Sequence, residues 1–174
     1  MCTAAVSSRC VWYCKAEIFR RAIMVLFKLT HHFAALLWVG GMFFALAVLR
    51  PSAVEVLDAA QRLRLWDAVL TRFFHWVWGA VGVLLVTGFF MIYLSGGMSH
   101  VPRHVHVMLA LGLMMMAIYG YVFFACYVPM SVHVSKQRWQ EAGVCLGKMR
   151  RWVTVNLLLG LLTISIEVIG AAIG

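Results

Sequence analysis

Ionisable side chains interrupt the long apolar stretches of this chain, and they are Lys28, His31, His75, His106 and Glu167. A charged or imidazole group within a bilayer costs a few kcal/mol, so such residues mark function by default. A neutral imidazole offers one nitrogen to a metal or a haem iron, whereas a lysine or glutamate can hold a proton. These residue types therefore predict a metal, cofactor or redox site.

The composition places that site in a membrane. The chain has 174 residues, of which 64% are hydrophobic and 12% are charged, whereas soluble domains are about half apolar and a quarter charged. A water-soluble enzyme and a disordered chain are therefore strongly disfavoured, and the lipid bilayer is the expected environment. The net charge is +9, but the basic residues lie between apolar runs and form no nucleic-acid recognition motif, so we expect no nucleic-acid partner.

Four apolar spans position the ionisable residues. After an N-terminal extension, 1–21, the membrane domain covers 22–174, with spans expected at about 22–49, 73–94, 104–128 and 152–173. Pro51 and Pro129 are expected to end the first and third spans, and Pro51 suits the first turn of a new helix. Residues 52–71 predict a short amphipathic helix lying at the membrane interface. The fold class is therefore all-α, an integral membrane four-helix bundle with an interfacial amphipathic helix.

Loop charge predicts the orientation of the bundle. Four spans place both termini and the 95–103 loop on one side, called side A, and the 50–72 and 129–151 loops on the other, called side B. Side B carries nine basic residues and side A at most five. Because cytoplasmic loops are enriched in Lys and Arg, we expect side B in the cytoplasm. The protein is then a multi-pass protein of a bacterial inner membrane, with periplasmic termini.

Depth in the membrane brings residues of three spans together. From the middle of its span, His31 lies roughly 9 Å, Glu167 roughly 8 Å and His106 roughly 15 Å toward side A. Two histidines at similar depth on separate helices suit the axial ligands of a b-type haem. We predict His31 and His106 as these ligands, and one haem per chain. His75, roughly 13 Å toward side B, is a weaker metal candidate that a second haem would use.

Residues that share faces with these ligands complete the predicted site. Lys28, His31 and Trp38 lie on one stripe by their spacing, and Gly160 would let a flat ring approach the last span. Trp38 and Gly160 are therefore predicted to contact the cofactor, while Glu167 and Lys28 would manage a proton or a haem propionate. Two alternatives stay open. In the first, the histidines within the spans bind no cofactor and form hydrogen bonds between helices. The second concerns the methionines, which either fill space in the core or form a path of soft ligands for Cu(I).

The chain also resembles known membrane families. Lys28-Leu29-Thr30-His31, the run 38–44 and Leu49-Arg50-Pro51 resemble the first helix of the copper-resistance D (CopD)-like proteins. The same helix is similar to the HemJ-type protoporphyrinogen oxidases, whose third-helix motif resembles 106–111, with its histidine on His106. Met108 stands where that motif has a lysine.

A shorter stretch resembles a second group. Residues 72–76, with Thr87-Gly88, are similar to a haem-ligating helix of bacterial quinol-linked cytochromes b. Together the resemblances imply a four-helix membrane domain that binds haem b.

The expected function is electron transfer through haem b, linked to a quinone or to a redox partner protein of which the chain is a membrane subunit. If the chain is an enzyme, it is an oxidoreductase. The alternatives are a HemJ-like protoporphyrinogen IX oxidase and a CopD-like copper transport or resistance protein, with copper as the ligand. A homo-oligomer also stays open.

Overall fold

The computed structural model describes the backbone of residues 8–173 and the side chains of residues 15–173, and this part of the chain contains no strand. The elements follow in the order α1 (Ser8–Phe44), a π-helical segment (Ala45–Leu49), α2 (Arg50–Val56), α3 (Ala59–Leu94), a 3₁₀ turn (Met98–His100), α4 (Arg103–Tyr121), a second π-helical segment (Val122–Tyr127), α5 (Val128–Ser135) and α6 (Trp139–Ile173). Residues 8–21 of the expected extension are the first turns of α1.

In the described part of the chain, four helical stretches are long and apolar enough to cross a membrane: Lys15–Val56, Ala59–Leu94, Arg103–Ser135 and Trp139–Ile173. Each expected span lies inside one of them. Large apolar side chains such as Phe33, Val86 and Leu158 are exposed along these helices, which is the surface that a bilayer would cover. The prediction of an all-α membrane bundle is confirmed.

The bundle is built from two helical hairpins that meet in an aromatic centre. Helix α1 packs mainly on α3, and α4 packs mainly on α6, which also contacts α1 and α3. Trp38 of α1 lies edge-to-face on Tyr119 of α4, with ring centroids 5.7 Å apart. Tyr119 in turn donates a hydrogen bond from its hydroxyl to the carbonyl of Phe74 in α3, at 3.1 Å. These contacts tie three helices together near the middle of the bundle.

Pro51 lies in the first turn of a new helix, α2, as the sequence predicts, but neither proline interrupts the helical path of the chain. In both cases a π-helical segment comes just before the proline, and the chain then continues as a short helix with the proline in its first turn. A proline lacks an N–H donor and its ring clashes with the carbonyl four residues earlier. A π-helical segment widens the turn in front of the ring, so the helical path of the chain survives Pro51 and Pro129.

The amphipathic stretch 52–71 is divided between two helices. It breaks at Leu57 and Asp58, and the residues from Ala59 onward are the first turns of α3. Leu63, Trp66 and Leu70 are buried in the bundle core, so the first turns of α3 pack against protein. The break has a local cause, because Asp58 and Gln61 form a capping box in which each side chain accepts from the other's backbone N–H, at 2.8 and 3.3 Å.

We expect Asp58→Ala to destabilise the protein by about 1 kcal/mol, because the N–H of Gln61 loses its acceptor at the start of α3. Asp58→Asn keeps an oxygen that can cap the helix and is the matched control. Thermal unfolding in detergent should rank wild type and Asp58→Asn together, above Asp58→Ala. Equal stability of all three proteins would contradict the capping role.

Candidate functional site

A cavity of about 440 Å³ lies among α1, α3, α4 and α6 toward side A, and we call it the side A cavity. Its walls are mainly apolar, and its volume falls within the range typical of small-ligand sites, about 300–1,000 Å³. The groups on its wall that could bind a metal or a proton are imidazoles, a carboxylate, an amine and thioethers, from His31, His32, His104, Glu167, Lys28, Met24, Met91, Met108, Met115 and Met116.

Hydrogen bonds fix the tautomer of His31. Its Nδ1 lies 2.8 Å from Oγ1 of Thr87 in α3, and that hydroxyl donates to the carbonyl of Val83 at 2.6 Å. Because the hydroxyl proton is directed to the carbonyl, the oxygen accepts from Nδ1–H of His31. The other nitrogen, Nε2, then carries the lone pair, and it has no hydrogen-bond partner among the described residues. An imidazole oriented in this way is typical of metal ligands.

Glu167 is paired with His32. The Nε2 atom of His32 lies 2.6 Å from Oε1 of Glu167, and Nδ1–H of His32 donates to the carbonyl of Lys28 at 2.6 Å. Since Nδ1 keeps its proton, a second proton must lie between Nε2 and Oε1, giving either an imidazolium with a carboxylate or two neutral groups. Both arrangements are neutral overall, which lowers the cost of an acid in the membrane. His32 was not identified from the sequence as a partner of Glu167.

His104 reaches the cavity from the start of α4. Its imidazole lies against Gly170 of α6, where a side-chain Cβ would collide with the ring. Met108, Gly112 and Met115 follow it on the cavity wall, at helical spacings of three and four residues. Met116 also lines the cavity, whereas Met114 is exposed on the outside of the bundle. One face of α4 therefore presents an imidazole and several thioethers to the cavity.

Most of the site residues predicted from the sequence lie around this cavity. Lys28, His31, Trp38, Gly160 and Glu167 all line it. Gly160 serves a different purpose from the predicted ring contact, because a Cβ there would meet side-chain atoms of Val39 at 2.8 Å and of Met115 at 3.1 Å. It allows close packing of α6 against α1 and α4.

The two remaining predicted ligands lie elsewhere. His106 is exposed, lines neither cavity and has its Nδ1 3.2 Å from the carbonyl of Pro102. The predicted pairing of His31 with His106 is therefore not formed, because two residues along a helix separate His106 from His104 by about 200°. His75 is also exposed, and its Nδ1 bonds the carbonyl of Thr71 at 2.5 Å.

A second, smaller cavity of about 120 Å³ opens toward side B, and we call it the side B cavity. Trp38, only 3% exposed, lines both cavities and separates them. Asn156, also 3% exposed, lies on the wall of the side B cavity. Its amide donates toward the sulfur of Met42 at 3.8 Å, and its Oδ1 has no partner. Aromatic packing thus closes the side A cavity toward side B.

The described part of the chain contains no cluster of the usual metal-binding side chains. Within residues 15–173, no three or more His, Cys, Asp or Glu side chains lie close enough together to hold an ion. The side A cavity offers thioether sulfur from Met108, Met115 and Met116 in addition to its imidazoles. Sulfur ligands of this kind select Cu(I) among the first-row metals.

The fold and the cavity define the class of the protein as a multi-pass membrane protein with a cavity between its helices that is lined by His and Met side chains. The family model of copper resistance protein D matches residues 67–170, more than half of the chain. The chain therefore belongs to the copper resistance protein D family, as its first-helix resemblance suggests. No curated protein and no solved structure matches the chain.

We expect Thr87→Val to change the tautomer of His31, because valine has the shape of threonine but cannot accept the Nδ1–H bond. A net hydrogen bond contributes about 1 kcal/mol, which corresponds to roughly a fivefold change in the tautomer ratio. Imidazole ¹⁵N shifts of histidine-labelled protein should give Nδ1–H for His31 in wild type and in the control Thr87→Ser. An Nε2–H tautomer in wild type would contradict the assignment.

Proposed function

We propose that the protein binds Cu(I) in the side A cavity and passes it across the membrane. The observation that carries this proposal is the unpaired Nε2 of His31, held by Thr87 on the wall of a cavity that also presents His104 and the thioethers of α4. Membership of the copper resistance protein D family supports copper as the transported ion.

The ligand types suit Cu(I) for two reasons. Thioether and imidazole are soft or intermediate donors, and they match Cu(I) better than Mg²⁺ or Ca²⁺, which prefer oxygen. They are also neutral, so the bound site would carry a single positive charge rather than two in a medium where charge is costly. The His32–Glu167 pair, 2.6 Å apart on the cavity wall, holds a proton whose loss would compensate that charge.

The arrangement of the cavities is consistent with loading of the ion from side A. The side A cavity reaches the loop at Pro102 and the end of α6 at Ala171, while Trp38 blocks it toward side B. The structure would thus be the state that loads the ion from side A, and transfer would require Trp38 to move. With side B in the cytoplasm of a bacterial cell, as the loop charges suggest, side A faces the periplasm and the direction is inward.

A second candidate is the haem b function predicted from the sequence, with the ligand pair changed. A volume of about 440 Å³ is more than one ion needs and suits a flat organic group. His31 and His104 would then be the axial ligands, in place of His31 and His106. Haem would supply one-electron transfer to a quinone or a redox partner, and Lys28 at the side A end could pair with a propionate.

The ligand assignment predicts different effects for two histidines on the same helix. We expect the purified protein to bind one Cu(I) per chain in competition with a Cu(I) chelator. His31→Ala and His104→Ala should each weaken that affinity by at least tenfold, since each removes a ligand. His106→Ala is the matched control, because it lies two residues away and faces outward, and its affinity should equal that of wild type.

Two outcomes would contradict the copper proposal. The ligand assignment is wrong if His106→Ala weakens Cu(I) binding as much as His104→Ala. If wild type instead carries a Soret band that His31→Ala and His104→Ala both lose, and binds no Cu(I), the haem candidate replaces the copper proposal. Uptake of copper into vesicles containing the protein, and its loss in His31→Ala, tests the transport step itself.

A further inference from the structure

The side B cavity carries three arginines at its edge, and nothing in the copper proposal uses them. Arg50 of α2, Arg62 of α3 and Arg150 of α6 line it together, although they come from three separate elements of the chain. We propose that this cavity is a binding site for an anionic phospholipid, with the headgroup phosphate among the three guanidinium groups and part of an acyl chain in the cavity.

The three guanidinium groups have unused hydrogen-bond donors. In residues 15–173, none of them forms a salt bridge or a side-chain hydrogen bond. Three other arginines on side B are engaged: Arg64 lies 5.2 Å above the ring of Trp139, Arg72 donates to the carbonyl of Ala68 at 3.0 Å, and Arg138 pairs with Glu141 at 2.7 Å. Arg151 also has no side-chain partner among the described residues, but it does not line the cavity. The unused donors of Arg50, Arg62 and Arg150 converge on one cavity, and a phosphate is the anion whose geometry they match.

The rest of the cavity is suited to a lipid chain. Trp66, Phe73 and Phe74 form apolar walls below the arginines, and Trp38 and Tyr119 close the inner end. A volume of about 120 Å³ would hold a segment of one chain rather than a whole ligand. Asn156 is the one uncharged polar side chain on this wall apart from the hydroxyl of Tyr119, which is already bonded to Phe74.

The position of the site along the helices agrees with a lipid headgroup. Arg50 follows the apolar part of α1, and Arg150 comes just before the apolar part of α6, so both lie near the membrane surface on side B. Basic pockets between membrane-spanning helices bind acidic headgroups. A soluble anion would gain nothing from the apolar cavity below, whereas a phospholipid uses both parts of the site.

Native mass spectrometry of the whole protein in detergent, titrated with phosphatidylglycerol or phosphatidylcholine, tests this proposal without copper. We expect wild type to retain phosphatidylglycerol in preference to phosphatidylcholine. Arg50→Gln/Arg62→Gln/Arg150→Gln should lose about fivefold in affinity per arginine, on the order of a hundredfold in all. The matched control is Arg64→Gln/Arg72→Gln/Arg151→Gln, which removes three charges from side B but none from the cavity, and it should bind as wild type does.

If the two triple variants lose the same affinity for phosphatidylglycerol, only the overall charge of side B matters, and the proposed site is wrong. Equal affinity for both lipids, or displacement of phosphatidylglycerol by inorganic phosphate, would also overturn it. If the variant with three glutamines in the cavity does not fold, a variant with lysine at the same three positions replaces it. Lysine keeps each positive charge but lacks the planar guanidinium group that binds phosphate through two N–H donors. That variant must still bind phosphatidylglycerol several-fold more weakly than wild type.

Discussion

Within a bilayer no water is present to satisfy a polar side chain, so each one needs a partner in the protein or in a ligand. The side A cavity follows this constraint closely. Thr87 accepts from His31 and directs its own proton to a carbonyl, and His32 is bonded at both nitrogens. These bonds leave Nε2 of His31 unpaired and with its lone pair toward the cavity, and it is the atom on which the proposed copper chemistry depends.

The same centre explains why two cavities exist instead of one channel. Trp38 and Tyr119 meet edge-to-face, and the Tyr119 hydroxyl is tied to the backbone of α3. Toward side B, both α1 and α4 pass into π-helical segments followed by a proline. π-helical segments inside helices often occur at functional sites. The two helices that carry the aromatic barrier are thus the two with irregular backbone beside it.

The sequence predicted the fold class and one side of the site from burial cost and spacing. Lys28, His31, Trp38 and Glu167 line the same cavity. This shared location could be predicted, because the apolar runs of the sequence give the depth and the helical phase of each residue. His104, which also lines the cavity, was not among the predicted residues, since depth and the third-helix resemblance both favoured His106. The helical spacing of Met108, Gly112 and Met115 from His104 indicates that all four residues lie on one face of α4. That pattern could have identified His104 as a cavity residue. The bond from His32 to Glu167 joins two helices through side-chain conformations, which no periodicity encodes.

The central claim is that imidazole nitrogen and thioether sulfur bind one metal in the side A cavity. X-ray absorption at the copper edge of the Cu(I)-loaded protein measures the ligand atoms directly. The account predicts both nitrogen and sulfur scatterers in wild type, with the nitrogen contribution reduced in His104→Ala and unchanged in His106→Ala. A first shell of nitrogen and oxygen without sulfur, or an identical spectrum in His104→Ala, would contradict it.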